Sequence, residues 1–440
     1  MKYWYNDAFF YHIYVTTQCN APYNNEDYSC LEHRFDKIAR WIPHIKDLGC
    51  NAVLLSPILQ AKSHGYDVTD YFKIDNRFGT NEEFKALVQQ FHKNGINVVM
   101  DCVFNHCGRD FESFKKLCNG DRSYASWFKG VDFNRQSPYG DYFTYETWAG
   151  HFELVKFNLQ NPEVKNYLLE ASKMWITEFG IDGMRLDAAN VLDFDFMREL
   201  RTVTTGIRDD FWLMGEVDMG EYTRWVNPQM LHSVTGYKLY KALFSAHNDN
   251  NLFELAHTVA QERPDFGLPH FNFADNHDVN RIRSVLNNTA NLKNIYSLLF
   301  TLPGLPSVYY GSEWGIEGKR EKYSDLPLRP YIDFENQPAD SFGLIPHIRQ
   351  CAAARADSRA LKYGSYKQVY LEYARPFVFE REFEGEKAVV ILNAADTPHT
   401  LNLSQHYGGS FRDVLNGNTV DENALSNYTL PANSTAILLQ

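Results

Sequence analysis

A helix–glycine–strand unit recurs along this chain, and no other feature narrows the fold as far. From Arg34 the apolar positions Phe35, Ile38, Ala39, Ile42, Ile45 and Leu48 keep helical spacing, Gly49 ends the helix, and Ala52-Val53-Leu54-Leu55-Ser56-Pro57 reads as a buried strand. The unit returns with Asn81 as a cap, Phe84, Leu87, Val88 and Phe91 on one face, Gly95 as the stop, and Ile96 to Val103 as the strand. A third copy has Pro162 in the first helical turn, Val164, Tyr167, Leu168, Ala171, Met174 and Trp175 facing inward, and Gly180 before Gly183-Met184-Arg185-Leu186-Asp187. Further strands are predicted at Phe9 to Val15, Phe211 to Val217, Leu231 to Tyr237, Phe271 to Ala274 and Ser307 to Gly311, which makes eight. Continuous apolar strands alternating with amphipathic helices imply a parallel sheet covered by helices, an α/β fold. A doubly wound sheet satisfies the same pattern, but no Gly-x-Gly-x-x-Gly or Walker loop follows any strand, so a (β/α)8 TIM barrel is expected.

Two stretches break the rhythm. Residues 107–160 are rich in Asp, Gly, Tyr and Trp and far exceed an ordinary strand-to-helix loop, so they are expected to form a small domain inserted after the third strand. After about Leu361 the pattern alternates, as in Phe377-Val378-Phe379-Glu380-Arg381-Glu382-Phe383, a turn at Glu384-Gly385-Glu386-Lys387, and Ala388 to Leu392. The expected organisation is therefore a barrel from 1–106 and 161–360, the insert at 107–160, and a C-terminal antiparallel β-sandwich at 361–440, ending on a strand from Thr435 to Leu439.

The charge balance excludes some partners. A net charge of −12 leaves no basic surface to neutralise phosphates, so nucleic acid is not expected as a partner. Runs such as Ile295 to Leu302 are much shorter than the ~20 residues of a membrane span, and no membrane partner is expected. The first residues lack an apolar signal region, and seven cysteines, an odd number in a long chain, do not suggest a disulfide framework; a cytoplasmic protein is expected. Aromatic residues make up 15%, including 27 Tyr and 8 Trp. Most must be core, but Tyr and Trp also offer flat faces and hydrogen-bonding tips suited to sugar rings.

In a barrel of this kind, chemistry sits at the carboxyl ends of the strands. The third strand ends Asp101-Cys102-Val103-Phe104-Asn105-His106, the fourth Arg185-Leu186-Asp187, the fifth Gly215-Glu216 and the seventh Asp275-Asn276-His277-Asp278. Any one of these is readily a capping or ion-paired carboxylate. Four together are not, because clustered like charges are costly to bury. No His/Cys/Asp set has metal-ligand spacing: there is no His-Glu-x-x-His, and Cys102, His106 and Cys107 lack a second pair. Several carboxylates with an arginine and two histidines suit glycoside hydrolysis, where one carboxylate attacks the anomeric carbon and another protonates the departing oxygen. The bond is so inert that on the order of 10¹⁷-fold acceleration is required, about 23 kcal/mol, and an array of groups is expected rather than one.

These four segments, together with Gly183-Met184 before Arg185 and Phe273-Ala274 before Asp275, resemble the four signature segments of the α-amylase family, in the family's order. The resemblance extends to the insert as domain B and the β-rich tail as domain C. It implies Asp187 as the nucleophile of a retaining mechanism, Glu216 as general acid and then base, and Asp278 as the carboxylate that favours the oxocarbenium-like state. It further implies that Arg185 sits beside the nucleophile, that His106 and His277 bind the glucose at the cleavage site, and that Tyr66 of His64-Gly65-Tyr66 stacks under the ring. Arg281 matches an arginine that often follows the last segment. For His64 and Arg281, a packed loop histidine and a surface ion pair are the competing readings.

His64-Gly65-Tyr66-Asp67-Val68-Thr69-Asp70-Tyr71-Phe72 and Ala188-Ala189-Asn190 are more similar to the neopullulanase, cyclomaltodextrinase and maltogenic amylase branch than to secreted α-amylases, which usually carry Lys-His where Ala189-Asn190 stand. Leu154-Val155-Lys156-Phe157-Asn158 resembles a fifth segment of that branch. The branch's N-terminal β-domain has no counterpart in the 440 residues, so its dimer is not implied and a monomer is expected. No cofactor is required by the chemistry. Asn105 matches a calcium ligand of α-amylases, and with no further partner oxygens identified in the insert, calcium is left open. The expected activity is hydrolysis of α-1,4 bonds in maltodextrins and starch-type oligosaccharides. A transglycosylase or α-glucosidase acting on small sugars is the alternative on the same fold, and a non-catalytic sugar-binding subunit is the alternative of another class.

Overall fold

The computed structural model describes residues 3–261, 270–373 and 375–440. Eight strands make up one sheet: β1 (Phe10–Ile13), β2 (Ala52–Leu55), β3 (Asn97–Cys102), β4 (Gly183–Leu186), β5 (Trp212–Gly215), β6 (Ser233–Val234), β7 (Phe271–Phe273) and β8 (Leu305–Tyr309). Every residue of these strands is buried except Asn97, as expected of parallel strands covered on both faces. This is the α/β fold of the (β/α)8 class. The chain divides into two compact units, an amino-side unit of His12–His44 and Ala52–Thr235, and a carboxyl-side unit of Met1–Tyr11, Ile45–Asn51 and Gly236–Gln440.

In the amino-side unit, β2 to β6 pair in succession and in parallel, with Val99 opposite Gly183 and Gly183 opposite Trp212. A Cβ on Gly183 would lie 2.7 Å from the Trp212 carbonyl oxygen, so only glycine lets β4 and β5 approach at that point. The ladder continues one step beyond the strands: Asp187 N donates to Cys102 O and Glu216 N to Leu186 O, each at 2.9 Å. Asp187 and Glu216 are therefore held by backbone bonds at the carboxyl ends of neighbouring strands.

The first helix of the repeat is broken into α1 (Phe35–Ala39) and α2 (Ile42–Asp47). Pro43 is the reason, since its ring has no N–H to give and clashes with the carbonyl four residues earlier. Helix α3 (Asn81–Lys93) starts one residue earlier than expected, at a capping box of Thr80 and Glu83. Asn81 instead bonds the preceding strand, accepting from Ile74 N and donating to Phe72 O. Helix α4 (Pro162–Met174) is capped by Asn161, and its last turn widens at Trp175–Phe179 before Gly180, at φ 78°, ends it. Between β3 and α4, His106–Gly108, Thr147–Trp148 and His151–Lys156 form a small three-stranded sheet within the inserted segment.

In the carboxyl-side unit, helix α5 (Tyr237–Asn248) begins where the sixth strand was expected to end, which leaves β6 only two residues. Strands β7 and β8 pair in parallel. The tail forms an antiparallel sheet of β9 (Ser365–Leu371), β10 (Phe377–Phe383), β11 (Glu386–Asn393), β12 (Phe411–Asp413), the short strand Thr419–Val420, and β13 (Ser434–Leu439). The β10–β11 hairpin turns on Glu384 and Gly385, at φ 49° and 87°, which suits a two-residue turn between twisted strands. Val378, Val389, Ile391, Leu403, Phe411, Leu430 and Leu438 form the core under this sheet. Its second layer is slight, a two-stranded sheet of His399–Leu401 and Tyr428–Leu430. Helix α6 (Leu292–Thr301) carries the fully buried Asn294, which donates to Asn393 O of β11 at 3.1 Å and accepts from Thr435 Oγ1 of β13 at 2.8 Å.

Candidate active site

At the carboxyl ends of β3, β4 and β5, one arginine organises three carboxylates. Arg185 Nη1 donates to both oxygens of Asp101 at 2.7 and 2.8 Å and to Asp187 Oδ1 at 3.0 Å, while Nη2 lies 3.0 Å from Glu216 Oε2. The arginine side chain is 3% exposed, against 12% for Asp187 and 20% for Glu216. Asp101 is wholly enclosed, so the gradient runs from a buried anchor to two groups with access to solvent. Burial works against the charged guanidinium, but Asp101, Glu216, Tyr66 and Asp187 outweigh it and hold Arg185 well above its ordinary pKa. A permanent cation is what such an acidic cluster requires.

Glu216 Oε2 also accepts from Ala188 N at 2.9 Å. Ala188 follows Asp187 directly and has φ 46°, a left-handed conformation that costs a non-glycine residue energy. The turn aims its N–H at Glu216, so the backbone beside one carboxylate helps orient the other. Beyond these two groups, Asn190 Nδ2 bonds Asp218 Oδ1 at 2.9 Å and ties the two loops together.

Tyr66 OH donates to Asp101 Oδ2 at 3.0 Å, which fixes its ring near Arg185. His64 is held from two sides, as Tyr14 OH donates to its carbonyl at 2.7 Å and Tyr66 N to its Nδ1 at 3.1 Å. His106 is 1% exposed. Asn105 Nδ2 donates to its Nδ1 at 3.1 Å, which leaves the ring proton on Nε2. That Nε2 has no hydrogen-bond partner among the described residues. Burial, with the neighbouring His64, pushes the His106 pKa down to about 3, so the ring is neutral at ordinary pH. A neutral buried imidazole at this place is suited to a sugar hydroxyl. The structure therefore brings together Asp187, Glu216, Arg185, Tyr66, His64 and His106, with Asp101 as the anchor.

In the carboxyl-side unit, Asp278 follows β7. Its Oδ1 pairs with Arg329 Nη2 at 2.9 Å and its Oδ2 lies 2.8 Å from His277 Nε2. Arg329 is 7% exposed and also donates from Nε to the His277 carbonyl at 3.0 Å, so it clamps both residues of the motif. Arg329 went unnoticed in the sequence because it stands 51 residues from Asp278 with no motif around it.

Arg281 is placed otherwise than expected. Its side chain is completely enclosed, donating to Tyr310 O, Ser312 Oγ and Leu328 O at 2.7–2.9 Å, with the Tyr309 ring 4.0 Å from its guanidinium. This corrects both readings made from the sequence, a sugar contact and a surface ion pair. A group with no exposed surface, whose terminal nitrogens bond two backbone carbonyls and the Ser312 hydroxyl, reaches neither sugar nor solvent.

Calcium at Asn105 finds one carboxylate, Asp193, among the residues that line the pocket there. Lys129 and Lys156 line it too, and an Asp193 oxygen already caps the helix Phe194–Ile207. Hard cations need several oxygen ligands. Among the described residues, no group of three or more His, Cys, Asp and Glu side chains could hold a metal.

Comparison with known proteins agrees with this geometry. Residues 35–332 match the family model described as the α-amylase catalytic domain. The chain is 32% identical over 382 residues to a cyclomaltodextrinase from Thermoanaerobacter pseudethanolicus, covering 83% of this chain and 64% of that protein. It is 33% identical over 376 residues to an intracellular maltogenic amylase from Bacillus subtilis, covering 83% and 62%. The chain thus spans somewhat less than two thirds of the length of these two relatives. Among solved structures, the cyclic α-maltosyl-(1→6)-maltose hydrolase of Arthrobacter globiformis superposes with a TM-score of 0.83 at 26% identity, over 100% of both chains. With a family model matched over more than half its length, and with the family's strand-end carboxylates gathered on Arg185, the chain belongs to the α-amylase family of glycoside hydrolases.

Proposed function

We propose that the protein is a retaining α-glucan hydrolase that cleaves α-1,4-glucosidic bonds of maltodextrins by double displacement. The observation that carries this reading is the shared guanidinium: Asp187 and Glu216 are held by opposite nitrogens of Arg185. That arrangement keeps the two carboxyl groups close, as suits a mechanism that works at a separation of roughly 5 Å. Asp187, ionised beside Arg185, attacks the anomeric carbon as the glycosidic C–O bond breaks, and Glu216 gives its proton to the departing oxygen. Glu216, now ionised, takes a proton from water, whose oxygen attacks the same carbon and releases Asp187. Asp278, held by Arg329 and His277, favours the oxocarbenium-like state; His106, His277, His64 and Tyr66 bind the sugar. The chemistry requires no cofactor.

The names of the relatives, cyclomaltodextrinase and maltogenic amylase, support short linear or cyclic glucans as the substrate class. Incubation with maltoheptaose, a cyclodextrin and pullulan, followed by product chromatography, tests it. Maltoheptaose is expected to yield shorter maltodextrins, and Asp187→Asn to abolish the products while sugar binding survives. Absence of cleavage of all three glucans by the native protein would contradict the reading, and glycosyl transfer as the dominant reaction would move it to the transglycosylases.

A further inference from the structure

We propose that Arg281 is a positioning residue for Asp278, acting through the Leu328 carbonyl and Arg329. The inference rests on the assignment of Asp278 to the transition state. The path is continuous within the carboxyl-side unit. Arg281 Nη2 donates to Leu328 O at 2.8 Å, and Tyr309 OH donates to the same oxygen at 3.2 Å. The next residue, Arg329, then carries the pair to Asp278 Oδ1 at 2.9 Å and the bond to the His277 carbonyl at 3.0 Å. The other end of Arg281 is tied down as well. Nη1 bonds Tyr310 O at 2.7 Å and Ser312 Oγ at 2.9 Å, and that hydroxyl donates to Asp275 at 2.8 and 2.9 Å. Its own backbone N–H donates to Gly318 O at 2.9 Å.

Arg281 stands three residues after Asp278, so one end of this fork is covalently part of the Asp278 loop and the other grips the segment that carries Arg329. The loop and its clamp are thereby locked in register. An apolar side chain would fill the same space without the cost of burying a charge. What an arginine adds is a planar fork that fixes several acceptors at set spacings, which a lysine does not reproduce.

Steady-state kinetics of the full chain on maltoheptaose test this through a double-mutant cycle of Arg281→Met and Arg329→Met. Each single change is expected to lower kcat by roughly 30-fold, with KM moved less than about threefold. The double variant should fall within about threefold of Arg329→Met alone, because both changes act through one clamp. Arg281→Lys should not restore kcat. Multiplying effects in the cycle, or a wild-type kcat in Arg281→Met, would overturn the proposal. Should Arg281→Met fail to fold, Tyr309→Phe keeps the ring and removes one bond to the Leu328 carbonyl. It is expected to lower kcat by about threefold and not to add to Arg329→Met, and an unchanged kcat or a multiplied effect would overturn the proposal. Asp278→Asn separates the two levels of the argument: wild-type kcat there removes Asp278 from the chemistry and the proposal with it. An inactive Asp278→Asn combined with multiplying effects removes only the role given to Arg281.

Discussion

Arg185 meets three acidic neighbours inside a wall of the fold, and the chemistry depends on how that charge is shared. Asp101, the most enclosed, takes two of the bonds, which leaves Asp187 and Glu216 oriented and accessible. Buried histidines in both units set a pH limit. His106 and His232 have pKa values pushed down to about 3, and His247 and His347 to about 4, in each case mainly by burial. Unfolded histidine titrates near 6.5, so their contribution is fully present above that pH. Below it the unfolded chain binds protons that the folded one refuses, and stability is lost as pH falls toward 3. Melting temperature is therefore expected to drop as pH is lowered through 6 and 5. His106→Asn should reduce that dependence by one proton's worth, a slope of about 1.4 kcal/mol per pH unit; an unchanged slope would show that His106 is not held neutral. The carboxylates were legible in the sequence because each ends an apolar strand. Arg329 was not, because a contact across 51 residues leaves no local pattern. Arg281 was legible as a motif position, yet its direction depends on carbonyls of Tyr310 and Leu328 that no spacing rule supplies.

Elements were read well where hydrophobic period and cap agreed, and less well where a single residue overrode the period. All eight expected strands exist in the sheet, and the β10–β11 hairpin turns at the expected glycine. The continuous apolar stripe from Phe35 to Leu48 predicted one helix, and Pro43 makes it two. The sixth strand shrank because the stretch through Tyr237 satisfies a helix as well as a strand. The junction between α6 and the tail carries a prediction of its own. Asn294 serves β11 and β13 with both ends of its amide, and is fully buried. Asn294→Ala would take this partner from the Thr435 hydroxyl and the Asn291 side-chain oxygen, at a cost of about 1–3 kcal/mol for each group left unpaired. Urea unfolding should show a lower midpoint, while a midpoint equal to wild type would mean that this contact contributes nothing.

For the whole molecule, the order of strand ends along the chain, the family match over residues 35–332 and the organisation around Arg185 agree on one chemistry. No described helix is long and apolar enough to cross a membrane. The longer relatives share 62–64% of their length with this chain, and the residues that hold the carboxylates all fall inside the matched family region. The account's central claim is that Asp187 and Glu216 cooperate in a double displacement. The most direct measurement is the anomeric configuration of the first product, followed by proton NMR as maltoheptaose is cleaved and before mutarotation sets in. The account predicts that the α-anomer appears first; a β-anomer appearing first would contradict it.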